Sequence, residues 1–293
     1  MRRRKFLSVA AVALAAYPAY KLLPSVLSGT GTFQANGGQL ARLKKALLDP
    51  NVAFTGVAFL GDSITWGTGT LQGPSPAPRN GTLADPRDNL ASQSYVNSLK
   101  RYLGETFMPE AKASISNWSS SPAGESIVEF STPAKSVRIS NQGINGASTS
   151  SYLARNLITS GDGSNFALLR DDNFVFVQLG TNDRGMSPRN PQTPEALTDN
   201  LVTLVNTLKQ RSEVIMMCAN PSTVEPKTIY RFGMDSVRAA TMRAAKICGV
   251  DFIDNYAAFD GLDLGAYLAD GLHPNVAGHL VTSNNIISAI ESS

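Results

Sequence analysis

An α/β sandwich around a parallel sheet is the fold class this chain predicts, on two observations. Short, nearly continuous apolar runs alternate with longer amphipathic ones from about residue 39 to the C-terminus. Unbroken apolar runs of that length suit strands covered on both faces, as in parallel sheets, and the amphipathic stretches supply the covering helices. The polar, glycine-containing clusters fall directly after the apolar runs, where open parallel sheets place their ligand-binding loops.

The chain opens with Arg2, Arg3, Arg4 and Lys5, followed by an apolar run over residues 6–20 rich in Ala, Val and Leu. This is the layout of a secretory signal, and Arg3-Arg4-Lys5-Phe6-Leu7 resembles a twin-arginine export signal. No clean cleavage site follows, and apolar character resumes at Leu22, Leu23, Val26 and Leu27. Residues 1–27 are therefore expected to be an export signal or an N-terminal membrane anchor. Residues 28–38, rich in Gly, Thr and Ser, read as a linker.

The domain proper is expected over residues 39–293. Residues 39–48 put Leu40, Leu43, Ala46 and Leu47 on one helical face, and Asp49-Pro50 ends the helix. The first strand is expected over 55–60. A Pro/Gly/Asn-rich stretch near 68–89 reads as a long inserted loop. A helix carrying Tyr95, Val96, Leu99 and Leu103 follows, with Gly104 as its expected end. Residues 107–133, with Trp118, Ser119-Ser120-Ser121 and Ile127-Val128, read as a second insertion forming an added hairpin. Such insertions often supply lids or binding walls. Strands are expected over 136–140, 174–179, 214–218 and 250–253. Thr193-Pro194-Glu195 starts a helix with a cap, a proline at the first position and an acid in the first turn. Leu197, Leu201, Leu204, Val205 and Leu208 then line one face. Further helices are expected over 235–246 and 275–290, the latter capped by Asn275.

Composition narrows the function. The 293 residues are 42% hydrophobic and 17% charged, which describes an ordinary globular chain. The net charge is +3 and four basic residues cluster at the N-terminus, so the body is nearly neutral and has no basic stripe for nucleic acid. Two histidines and two scattered cysteines offer no spaced ligand set, so no metal and no other cofactor is expected. Cys218 and Cys248 read as buried thiols, and the sequence does not decide whether they pair.

With only two histidines in the chain, the choice of a neutral-pH base is narrow. Four polar clusters follow the expected strands: Gly61-Asp62-Ser63, then residues 141–146 with Gly143 and Gly146, then Gly180-Thr181-Asn182-Asp183, then Asp270-Gly271-Leu272-His273-Pro274. Together they hold what ester hydrolysis needs. Ser63 can attack a carbonyl if His273 takes its proton, and Asp270 can orient the imidazole and stabilise its positive charge. The oxyanion needs preorganised donors, for which the Ser63 and Gly146 backbone N–H groups and the Asn182 amide are candidates. Asp62 and Asp183 read as loop braces and His279 as a structural side chain. Trp66 and Trp118 either line the substrate site or pack in the core. The Gly-x-Ser-x-Gly nucleophile elbow is absent around Ser63.

Gly61-Asp62-Ser63-Ile64, Gly146, Gly180-Thr181-Asn182-Asp183 and Asp270-Gly271-Leu272-His273-Pro274 resemble, in this order, the four blocks of the SGNH (GDSL-type) hydrolases. The resemblance spans about residues 55–290, with Ile64 in place of the common leucine. It implies a three-layer α/β/α sandwich with a flavodoxin-like, five-stranded parallel sheet and no metal. It also implies Ser63 as nucleophile, Asp270 and His273 as the rest of a triad, and Ser63, Gly146 and Asn182 as oxyanion donors. Of the two glycines in the second block, alignment with the family favours Gly146.

The expected activity is that of an exported, periplasmic or extracellular serine esterase acting through an acyl-enzyme. A short acyl group on a carbohydrate is the leading substrate. An O-acetyltransferase, a lipase or a thioesterase on the same scaffold is the alternative, and a silent carbohydrate-binding protein a remoter one. The expected partner is the acylated substrate alone, with membrane attachment only through the N-terminal segment.

Overall fold

The computed structural model describes residues 38–70, 93–116, 126–154 and 172–293. The expected export segment, all of the linker but residue 38, most of the 68–89 loop, and Trp118 with its serine run lie outside the described residues.

The core strand β1 (Phe54–Gly61) is buried from Thr55 onward. Its parallel neighbours are β4 (Ser136–Gly143) on one side and β5 (Phe174–Gln178) on the other. The sheet continues in parallel through β6 (Glu213–Met217) to β7 (Phe252–Ile253). In chain order these parallel strands are arranged 2-1-3-4-5, the doubly wound order of flavodoxin-like sheets. The topological switch lies at the C-terminal end of β1. The register brings its neighbours level there, since Gly61 pairs with Gly143 and with Gln178.

Two helical layers cover the sheet. On one side α1 (Gln39–Leu48) and α3 (Tyr95–Phe107) pack on α8 (Val276–Glu291). On the other, α4 (Thr149–Leu153) and α6 (Met234–Cys248) pack on α5 (Pro194–Leu208). Thr193 caps α5 by accepting from Ala196 N, as its sequence predicts. In the core Phe59 stacks on Phe176 at 4.8 Å between ring centroids, a contact that contributes about 1 kcal/mol beyond area burial.

The structure corrects three expectations. The sheet has seven strands, not five. The additional two are β2 (Lys112–Ser116) and β3 (Ser126–Ser131), which pair antiparallel with each other, and β3 pairs antiparallel with β4. The described part of the 107–133 insertion thus extends the sheet edge, because Val128 and Phe130 are buried and the edge of β4 gains a hydrogen-bonded partner. Helix α3 runs through Gly104 to Phe107. Gly104 is there for space: a Cβ would lie 2.2 Å from the Phe130 ring. The last parallel strand is also shorter than expected, since Asp251 N donates to Gln39 Oε1 at 2.8 Å.

Candidate active site

Directly after β1 the chain turns into α2 (Ser63–Trp66), a single helical turn that the apolar pattern does not announce. Asp62 caps it, accepting from Ile64 N at 2.9 Å. A buried relay runs beneath this turn. Tyr95 lies 2.7 Å from Thr65 Oγ1, Thr65 donates to Gln178 Oε1 at 2.9 Å, and Gln178 Nε2 donates to Asp62 at 3.3 Å. Burial pushes the Asp62 carboxyl above the usual carboxylate range, against the Ile64 N–H that lowers it. Asp62 therefore braces the turn from inside. Ser63 takes the first helical position, where a backbone N–H has no partner within the helix.

Ser63 Oγ lies 2.8 Å from His273 Nε2, and His273 Nδ1 lies 2.7 Å from Asp270 Oδ2. A carboxylate accepts only, so Asp270 accepts a hydrogen bond from Nδ1–H and leaves Nε2 free to accept from the serine hydroxyl. Burial works to raise the Asp270 pKa, but hydrogen bonds from the His273 backbone and ring and from Leu272 N outweigh it and hold the group low. The same carboxylate shapes its loop, since Oδ1 accepts from Leu272 N at 3.0 Å and His273 N at 2.8 Å. From outside the loop, Asn220 Nδ2 donates to Leu272 O at 2.9 Å and Thr223 N to Gly271 O at 2.8 Å.

The second and third clusters meet beside this line. After β4 the chain makes a turn in which Gly146 sits at φ 76°, a backbone conformation that favours glycine. Gly146 is exposed, and among the described residues nothing beyond its chain neighbours lies within 4 Å of where a Cβ would stand. Gly143 differs: it is buried inside β4, and its N–H donates to Asn141 Oδ1 at 2.9 Å. Of the two glycines only Gly146 stands at the open rim. Asn182 Nδ2 donates one hydrogen to Ala147 O at 2.9 Å, which fixes the amide plane and leaves the second hydrogen for another acceptor.

His279 lies apart from this chemistry. It is fully buried in α8; Nδ1 accepts from Tyr95 N at 3.2 Å, and Nε2 donates to Thr68 O at 3.1 Å. Burial pushes its pKa down to about 4, so it stays neutral across the working range. Trp66 is buried in α2. Both cysteines are free and buried. Among the described residues no three His, Cys, Asp or Glu side chains group as a metal-ligand set.

Sequence reasoning missed several supports. Tyr152 Oη sits 3.0 Å from both Gly61 O and Gln142 O and accepts from Gly61 N, tying together the ends of β1 and β4. Asn220 and Thr149 hold loops. Of these segments only 148–151 carried a local signal: Ser148 and Ser151 form a capping box at the start of α4.

The geometry agrees with the comparisons to known proteins. A profile of the GDSL-like Lipase/Acylhydrolase family matches residues 59–281. No curated protein sequence matches the chain. Among solved structures it is similar to Axe2, an acetylxylan esterase from Geobacillus stearothermophilus, at 21% identity and TM-score 0.54, covering 82% of this chain and 96% of that one. It is also similar to LAE5, an alpha/beta hydrolase enzyme from the metagenome of Lake Arreo, Spain, at 22% identity and TM-score 0.52, with the same coverage. At these identities the likeness shows the fold; the profile spans most of the chain and takes in all four loop clusters. The chain belongs to the GDSL-like lipase/acylhydrolase family and is a serine ester hydrolase of the SGNH type.

Proposed function

We propose that this enzyme is an exported esterase that removes a short acyl group, foremost acetyl, from a carbohydrate. The observation that carries its chemistry is the hydrogen-bonded line from Ser63 through His273 to Asp270. Ser63 Oγ attacks the ester carbonyl and its proton passes to His273 Nε2. Asp270 stabilises the imidazolium, and the Ser63 and Gly146 N–H groups with the Asn182 amide receive the oxyanion. The departing alcohol takes the proton from His273. Water then attacks the acyl-enzyme with His273 again as base, releasing the acid and free Ser63.

Three features support the finer reading: the likeness to an acetylxylan esterase, the arginine-rich apolar N-terminus, and no long apolar segment in the sequence to serve as a lid over a lipid chain. No helix among the described residues is long and apolar enough to cross a membrane. Purified enzyme is to be assayed on p-nitrophenyl esters of increasing chain length beside acetylated xylan and other acetylated polysaccharides. Fastest turnover on the acetyl ester, with acetate released from a polysaccharide, is the expected result. Preference for long acyl chains would refute the short-acyl reading. Transfer of acetyl to a sugar acceptor in preference to water would replace hydrolysis with transfer.

A further inference from the structure

Asp183 is a buried carboxylate one residue from Asn182, and it takes no part in the proton transfers above. Its two oxygens accept the Thr149 backbone N–H at 3.0 and 3.1 Å, and Oδ1 also accepts the Thr149 hydroxyl. Thr149 Oγ1 in turn accepts from Asn200 Nδ2 at 2.9 Å, which ties the group to α5. One residue earlier, Asn182 Nδ2 holds Ala147 O. Adjacent side chains thus grip residues 147 and 149, on the C-terminal flank of Gly146. On the other flank Ile144 N donates to Gly61 O at 3.0 Å. Gly146 has no side chain and, among the described residues, nothing packs on its Cβ side, so these flanking bonds set where its N–H points.

We propose that Asp183 is a positioning residue for the oxyanion hole: by holding Thr149 it fixes the Gly146 N–H relative to the Asn182 amide. The proposal rests on the reading of Gly146 and Asn182 as oxyanion donors. A carboxylate suits the task because Thr149 presents an N–H and an O–H together, and its oxygens meet both from one rigid plane. Burial pushes Asp183 up to about 6, with the nearby Asp62 charge adding to the rise. A raised carboxyl pKa favours the fold at low pH, and that contribution is lost as pH climbs through the folded value. Near neutrality and above, ionised Asp183 favours the fold less than its protonated form does.

The test compares Asp183→Ala, Asp183→Asn and, as a reference, Asn182→Ala. It measures kcat and KM on p-nitrophenyl acetate and the thermal unfolding midpoint at about pH 8, above the Asp183 transition. Asp183→Ala is expected to lower kcat by about tenfold to a hundredfold, the scale of a small misplacement of a catalytic group, with KM little changed. Asp183→Asn should recover part of that loss, because Oδ1 still accepts the Thr149 N–H, and should unfold at or above the wild-type midpoint. Wild-type kcat in Asp183→Ala, or a kcat loss in Asp183→Asn matched by a fall in its midpoint, overturns the proposal. If Asn182→Ala lowers kcat while Asp183→Ala does not, only the positioning role fails. If Asn182→Ala also keeps wild-type kcat, the oxyanion assignment itself fails.

Discussion

Ser63 Oγ and His273 Nε2 stand 2.8 Å apart although 210 positions separate them in the chain. Ser63 leaves the central strand of the sheet at its topological switch point. His273 arrives on a short loop ahead of the last helix, held by Asn220 and Thr223 from the segment after β6. The contact is therefore made by a helical turn and a loop at one edge of the sheet.

Ser63→Ala and His273→Ala should each lower kcat by roughly 10⁴-fold or more, the scale of losing the nucleophile or base of a triad. Far-UV circular dichroism and the thermal midpoint should stay near wild type, because neither side chain holds the core. Wild-type labelling of Ser63→Ala by a fluorophosphonate would show that another residue is the nucleophile.

Asp270→Asn separates orientation from packing. Its Oδ1 would still take the Leu272 and His273 N–H groups, so the loop should keep its shape. The acceptor for the His273 Nδ1 proton is weakened, however, and kcat should fall by roughly 10²- to 10⁴-fold. A kcat within about twofold of wild type would mean that His273 needs no carboxylate partner.

Asn182→Ala removes an amide whose second hydrogen is free for the oxyanion. The expected cost is about 3 kcal/mol in transition-state stabilisation, read from kcat/KM on p-nitrophenyl acetate. A loss confined to KM would instead make Asn182 a uniform substrate contact.

His279 gives a prediction about pH. Its pKa is depressed from the ordinary 6.5 to about 4 by burial, so its neutral form favours the fold. For a histidine lowered in the folded state, that contribution is complete above the unfolded value and is lost as pH falls. Stability should decline between about pH 6.5 and pH 4, by roughly 3 kcal/mol from this residue. Thermal midpoints followed across that window should flatten in a neutral replacement, His279→Gln, once its lower starting stability is taken into account. An unchanged slope would assign the acid limb to other groups.

Much of this was legible in the sequence where local physics governs. Continuous apolar runs marked the parallel strands, and the capping residues Thr193 and Asn275 marked the starts of α5 and α8 to the residue. Residues 107–133 read as an added hairpin, and β2 and β3 pair antiparallel there; what their weak strand period did not show is that β3 would join the sheet at the edge of β4. Gly104 reads as a helix stop, but the helix continues to Phe107, and Phe130, 26 positions later in the sequence, occupies the space a Cβ would need.

By itself the sequence determined the residue types capable of ester chemistry, their order along the chain, and the alternation that makes a doubly wound sheet. Those properties live in spacings of a few residues. The sequence also pointed to Gly146, to His273 over His279, and to Asp62 and Asp183 as braces; the tertiary structure decided the contacts that give each its surroundings. Gly143 and Gly146 differ by burial, Gly143 lying inside β4 with its N–H on Asn141, and His273 and His279 by whether the ring is enclosed in the core. The histidine distinction exists only once segments more than 200 positions apart have packed together, and the glycine distinction once β4 has paired with β1.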